Sequence, residues 1–209
     1  MFQRLKYNEN LLMNNKKKPI ETLIFKINRL NSHQQNFQIE EKINQIQNIK
    51  NDDNQNNNQK MLWGEPTWFL FHTLSHKIKP ESFPVIKNEL LQLFSNICSK
   101  LPCPICAEHA SNYLVNNNFF NIQSKEELKR FFFVFHNYVN EKKKYPIFEL
   151  SELDKKYSSA ITINIINNFI KLYQIKYNIP KLFSSNMFRK NISKKIIDWY
   201  SVNYNNFEQ

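Results

Sequence analysis

Two cysteines three residues apart, Cys103 and Cys106, stand in the stretch Leu101-Pro102-Cys103-Pro104-Ile105-Cys106-Ala107-Glu108-His109-Ala110. Proline has no amide N–H to donate and its φ is preset near the helical value, so Pro104 suits the first residue of a helix. Cys103 then takes the N-cap and Cys106 the third helical position. The partial positive charge at a helix N-terminus stabilises a thiolate, so both thiols are expected to ionise more readily than a free cysteine. The spacing also lets the two sulfurs form a reducible disulfide with each other. The competing chemistry is zinc, with His109 one turn beyond Cys106 and a fourth ligand elsewhere. Structural zinc is usually closed by a second ligand pair; no second Cys-x2-Cys exists, and no metal site is assigned. The bland reading is a helix start whose cysteines do nothing.

Two further stretches carry polar side chains at helical spacing. In Trp63-Gly64-Glu65-Pro66-Thr67-Trp68-Phe69-Leu70-Phe71-His72-Thr73-Leu74-Ser75-His76, Trp68 and His72 are four apart and share a face. His72 and His76 have a spacing that could hold a metal, but no carboxylate stands near to complete a site. The plainer reading is a core helix with packed aromatics. In His136-Asn137-Tyr138-Val139-Asn140, His136 and Asn140 share a face with Asn137 beside them, next to Phe131, Phe132 and Phe135. Buried, these polar groups need partners, which a bound polar ligand would supply; in solvent they need none.

The elements that must position these groups are helical. The chain has 209 residues and a single glycine, Gly64, which argues against glycine-dependent turns and phosphate-cradling loops. Cys-Pro-Ile-Cys looks like a glutaredoxin active site. That fold needs strands and tight turns around it, whereas the flanks here have a helical period. Pro66 falls in the first turn of a helix that Pro80 stops, and Pro84 opens the next, running to about Lys100. Leu90, Leu91, Phe94, Ile97 and Cys98 line its apolar face. Cys98 thus reads as a small buried hydrophobe, with a third redox partner as the alternative. The dithiol helix fades at Asn116-Asn117-Asn118. Ser124 and Glu127 form a capping-box signature ahead of a long helix through Val139, closed by Lys142-Lys143-Lys144 and Pro146. One more short helix is expected over 151–157.

Residues 1–60 read as an appendage ending in a polar, low-complexity linker. Residues 158–209 keep a helical period at Ile161, Ile165, Phe169, Leu172 and Ile175, and again near Ile196 and Trp199. This extension could dock on the core, dimerise or bind a partner. Net charge is +11, with lysines scattered along the chain; that favours solvated helix faces over a nucleic-acid site. No signal-peptide pattern opens the chain and no run reaches a membrane span, so a cytoplasmic protein is expected.

The span from Trp63 to about Tyr157 resembles the Erv/ALR family of FAD-linked sulfhydryl oxidases. Trp63-Gly64 with Trp68 and His72 is similar to that family's first-helix pattern, Cys103-Pro-Ile-Cys106 to its redox pair, and His136-Asn137-Tyr138-Val139-Asn140 to its H-N-x-V-N signature. The three occur in family order over about 95 residues, and the dithiol phrase is particularly similar to members from large cytoplasmic DNA viruses. The resemblance implies an all-α fold: a four-helix bundle with a short fifth helix over 61–157, between N- and C-terminal appendages, and commonly a homodimer. It implies FAD held at Trp63, Trp68, His72, His136, Asn137, Val139, Asn140, Lys142 and Lys144, with His109 a weaker candidate. It also implies catalysis by Cys103 toward substrate thiols and by Cys106 beside the flavin, with molecular oxygen reduced to hydrogen peroxide. The shuttle cysteines and the second structural pair of many cellular members are absent, and Lys143 stands where leucine is usual. A separate dithiol substrate or thioredoxin-like relay protein, in infected-cell cytoplasm or virion, would then feed Cys103. The rival class is a zinc-stabilised basic helical module that binds nucleic acid or protein.

Overall fold

A computed structural model of the chain describes residues 61–175 and 183–208. The N-terminal appendage and its linker lie outside the described residues. Among the described residues there are seven α-helices, two 3₁₀ turns and no strand beyond one isolated bridge. Helix α1 spans Gly64–Lys77, α2 Phe83–Cys98, α3 Pro104–Asn116 and α4 Lys125–Lys143. The short α5 covers Leu150–Tyr157, α6 Thr162–Tyr173 and α7 Phe183–Asn203. The expected four helices and short fifth are all present.

Local chemistry sets most of the boundaries. Pro84 sits in the first turn of α2 and Pro104 in that of α3, where a missing N–H costs nothing. Ser124 caps α4 by accepting from the Glu127 amide at 3.1 Å, while the Glu127 carboxylate reaches back to the Gln123 amide at 2.8 Å. Helix α4 stops at Lys144, whose φ of 57° places a non-glycine residue in the left-handed region. The next amide, of Tyr145, closes the turn onto the Asn140 carbonyl at 2.8 Å.

The core lies between α1, α2 and α4. Phe71, Phe94 and Phe132, one from each helix, meet with ring centroids 4.7–5.0 Å apart, and Phe119 from the 3₁₀ turn Phe119–Asn121 closes the cluster. All four are buried. Removing such a side chain from water stabilises the fold by roughly 2–3 kcal/mol each.

Of the alternatives open for the C-terminal extension, its described residues dock on this core. Ile166, Phe169 and Tyr173 of α6 and Ile192, Ile196 and Tyr200 of α7 belong to the same buried cluster as α1 and α2. Helix α6 packs on α1, and α7 on α2. The tail is tied down by its backbone: the Glu208 amide donates to the Lys77 carbonyl at 2.7 Å and the Lys79 amide to the Asn206 carbonyl at 2.9 Å.

Candidate active site

The dithiol forms as its local sequence requires. Cys103 is the N-cap of α3, in an extended conformation that turns its side chain back over the first helical turn. Its Sγ accepts a hydrogen bond from the Cys106 amide at 3.2 Å, so the sulfur satisfies one of the donors that a helix start leaves free. Cys103 and Cys106 are joined as a disulfide, and both are half-buried. Reduction would leave a thiolate on Cys103 facing a donated N–H and the positive end of the helix, the setting that lowers a thiol pKa. Cys98, at the end of α2, is a free thiol at 1% exposure; burial pushes its pKa up to about 12. It is the small buried hydrophobe of the sequence reading.

From the dithiol, a row of rings leads across the bundle. Cys106, Ala110 and Tyr113 fall on one face of α3 at i, i+4 and i+7. Tyr113 stacks on Phe135 of α4 at 4.2 Å and lies 4.9 Å from Tyr138. Phe135 meets Trp68 of α1 edge-on at 5.2 Å, and Trp68 stacks on His136 at 4.3 Å. His136 Nδ1 and His72 Nε2 are 3.1 Å apart, sharing one proton in a hydrogen bond. On its other side His72 stacks on Tyr157 of α5 at 4.8 Å. The Trp68/His72 stripe and His136 thus come together, as the resemblance implied.

Burial, and then the neighbouring His136, lower the His72 pKa to about 3; burial and the Lys156 cation lower His136 to about 4. Both imidazoles are neutral near pH 7. His72 Nδ1 is buried with no partner among the described residues, an unsatisfied position that costs free energy until something hydrogen-bonds to it.

Each asparagine side chain has a backbone partner. The Asn137 amide donates to the Phe148 carbonyl and accepts from the Phe148 amide, both at 2.8 Å. Asn140 donates to the Pro146 carbonyl at 3.1 Å. Their side chains hold the segment that carries α5 against α4. Trp63 is the buried N-cap of α1, Val139 is half-buried against the core, and His109 is exposed on α3. Lys142 and Lys144 are exposed at the C-terminal end of α4, with the Lys142 ammonium 5.6 Å from the Tyr138 ring centroid.

Sequence reasoning did not single out Tyr113, Phe148, Lys156 or Tyr157. Lys156 sits 5.0 Å over Phe69, 5.5 Å over Phe148 and 5.9 Å over Tyr157, a cation held by three aromatic faces. The available signal was the apolar pair Leu153 and Tyr157, four apart on a short helix, both of which are buried. No group of side chains able to hold a metal occurs among the described residues.

The donor set suits a planar, polar ring system bearing phosphates. Trp68, His136, Tyr113 and Tyr138 offer aromatic faces, His72 Nδ1 an unused polar atom, and Lys142 and Lys144 cations.

Residues 65–158 match the Erv1/Alr family model. The chain is 29% identical over 99 residues to an FAD-linked sulfhydryl oxidase of African swine fever virus, covering 47% of this chain and 82% of that relative. It is 28% identical over 102 residues to a putative FAD-linked sulfhydryl oxidase of Invertebrate iridescent virus 6, covering 46% and 92%. It is 32% identical over 98 residues to the mitochondrial FAD-linked sulfhydryl oxidase ERV1 of Saccharomyces cerevisiae, covering 46% and 51%. No solved structure matches.

Proposed function

Since residues 65–158 match the Erv1/Alr family model, we propose that the protein is an FAD-dependent thiol oxidase that makes disulfides in a dithiol substrate. The observation that carries the reading is the disulfide-linked Cys103–Cys106 pair capping α3 on the face that leads through Tyr113 to Trp68 and His136.

The chain's own part in the chemistry is thiol–disulfide exchange. A substrate thiolate attacks Cys103 Sγ and the Cys103–Cys106 bond breaks, with the electron pair going to Cys106 as a thiolate. A second substrate thiolate attacks the mixed disulfide, leaves as the substrate disulfide, and releases Cys103 as a thiolate. The N-terminal end of α3 stabilises the leaving sulfur in both steps. The pair then holds the two electrons that the substrate lost. Bound FAD supplies the two-electron acceptor that restores the disulfide, with molecular oxygen as the final acceptor. Cys106 is assigned as the inner sulfur because its face of α3 meets α4 two turns on; Cys103, at the cap, is the outer one.

For the cofactor, Trp68 and His136 would offer ring faces, His72 Nδ1 a hydrogen bond, and Lys142 and Lys144 charge to its phosphates. Trp63, Val139 and His109 complete the candidate set. Asn137 and Asn140 would act by holding the Phe148 segment in place. Among the described residues no helix is long and apolar enough to cross a membrane. A relay dithiol protein as electron donor and a homodimer belong to the same reading. The test is purification: the protein should carry one FAD per chain, little zinc, and oxidise dithiothreitol with oxygen uptake. A folded, colourless preparation with stoichiometric zinc would favour the zinc-stabilised module instead.

A further inference from the structure

The C-terminal end of α2 and one side of α7 enclose an open groove of about 470 Å³. Its floor includes the buried Ile192, and its rim is formed by Lys100, Phe188, Lys194 and Lys195. Lys100 Nζ lies 5.2 Å over the Phe188 ring, which is still 51% exposed. Lys194 is paired with Asp198 at 3.8 Å. Lys100 and Lys195 have no ion-pair partner among the described residues. The groove therefore combines an apolar floor, an exposed aromatic ring and uncompensated positive charge.

Its position gives that combination a use. Lys100 precedes Cys103 by three residues, so their Cα atoms are at most about 11 Å apart. A chain lying in the groove at Lys100 is therefore within about 11 Å of the Cys103 backbone. One wall, α7, lies outside the 65–158 family match.

Resting on the thiol oxidase reading, we infer that this groove is the docking surface for the protein substrate. It takes a segment that carries Asp or Glu beside its cysteine pair, with one aromatic or aliphatic side chain seated against Phe188 and Ile192. Positive charge beside a reactive disulfide draws an acidic chain to it and speeds encounter more than it tightens the final complex. A basic chain meets like charge at the same place and is disfavoured.

The experiment uses the full-length, FAD-loaded protein and two synthetic Cys-x-x-Cys peptides, each with one phenylalanine, one flanked by glutamates and one by lysines. At low salt, kcat/KM for the acidic peptide should exceed that for the basic one by about tenfold, and about 0.5 M salt should close most of the gap. The same ratio should fall to near one in K195E and be kept in K195R. F188S should weaken binding of both peptides. A Ser-x-x-Ser version of the acidic peptide, followed by fluorescence anisotropy, reads docking without turnover; its Kd should rise at least fivefold in K195E. Equal turnover of the two peptides by the parent protein, or an unchanged ratio and Kd in K195E, would overturn the inference. Failure to oxidise dithiothreitol would instead overturn the oxidase reading, with the anisotropy result still deciding whether the groove binds acidic chains.

Discussion

The Tyr173 hydroxyl donates to the Lys100 carbonyl at 2.9 Å, and so a side chain of α6 holds the backbone that enters the dithiol. Tyr173 is fully buried, and burial raises its phenol above the usual range, so it remains a donor at all working pH. Tyr173→Phe keeps the ring and removes the bond, leaving a carbonyl unpaired three residues before Cys103. A stability loss of about 1–2 kcal/mol is expected, together with a measurable shift in the Cys103–Cys106 reduction potential. Denaturant melts and glutathione titration of the pair check both; an unchanged potential would limit Tyr173 to packing.

A larger change in the same direction is expected from ending the chain at residue 157. Ile166, Phe169 and Tyr173 would be lost from a cluster that includes Leu70, Phe71 and Phe94. The chain ended at residue 157 should unfold at least 10 °C below a chain that runs to residue 209, and bind FAD less tightly at 37 °C. Calorimetry on the two chains, with cofactor release followed by fluorescence, decides it.

The three cysteines should separate cleanly. Cys103→Ser and Cys106→Ser should each abolish dithiothreitol oxidation while FAD stays bound, and Cys98→Ser should keep most of it. Cys106→Ser should also accumulate a mixed disulfide through Cys103, because no sulfur remains behind it to take the electrons. Non-reducing electrophoresis with a dithiol peptide reads this; trapping in Cys103→Ser instead would reverse the inner and outer assignment.

Acid should destabilise the fold through the imidazole pair. His72 and His136 stay neutral in the folded protein down to about pH 3 and about pH 4, whereas the unfolded chain takes up these protons near 6.5. Between those limits the unfolded state holds more protons. Stability is therefore complete above about pH 6.5 and falls on acidification, by up to about 2.7 kcal/mol per pH unit for two protons. Denaturant melts between pH 7 and pH 4 should show the slope, and His136→Gln should flatten it by roughly half.

The clamp made by Asn137 gives a graded test. Asn137→Ala loses both bonds to Phe148 and should cost about 2–3 kcal/mol. Asn137→Asp can still accept from the Phe148 amide but cannot donate to its carbonyl, so it should fall between the two. Thermal melts rank the three; a neutral Asn137→Ala would mean the segment is held by packing alone.

What was legible in the sequence was mostly local. Pro104 after Cys103, and Ser124 ahead of Glu127, each act within one helical turn, so their types alone fix a cap and its partner. The family motifs likewise located Trp68, His72 and His136 on facing helices. What was not legible depended on contacts between distant segments. The stripe read at Ile161, Ile165, Phe169, Leu172 and Ile175 shares only Phe169 with the face that is buried, Ile166, Phe169 and Tyr173, because a helical period alone does not say which flank meets α1. Asn137 has two natural readings, ligand and solvent, and its actual partner is a backbone eleven residues away. Tyr113 and Tyr157 were hidden by number: with aromatics at 14% of the chain, no single ring stands out until its neighbours are known.

The burial of Cys98 has a consequence for how the protein is made. Its cysteines could pair as Cys98–Cys103, Cys98–Cys106 or Cys103–Cys106. In the folded chain Cys98 is enclosed by the core and stays protonated, so the first two pairings are closed by access and by ionisation alike. In a nascent or unfolded chain nothing distinguishes the three thiols except their spacing. An oxidant that reached the chain before α2 had packed could lock Cys98 to either neighbour and strand the protein as a misbridged, inactive species. Folding order thus protects the pairing: once α2 has buried its last residue, the redox pair is the one bridge left to close.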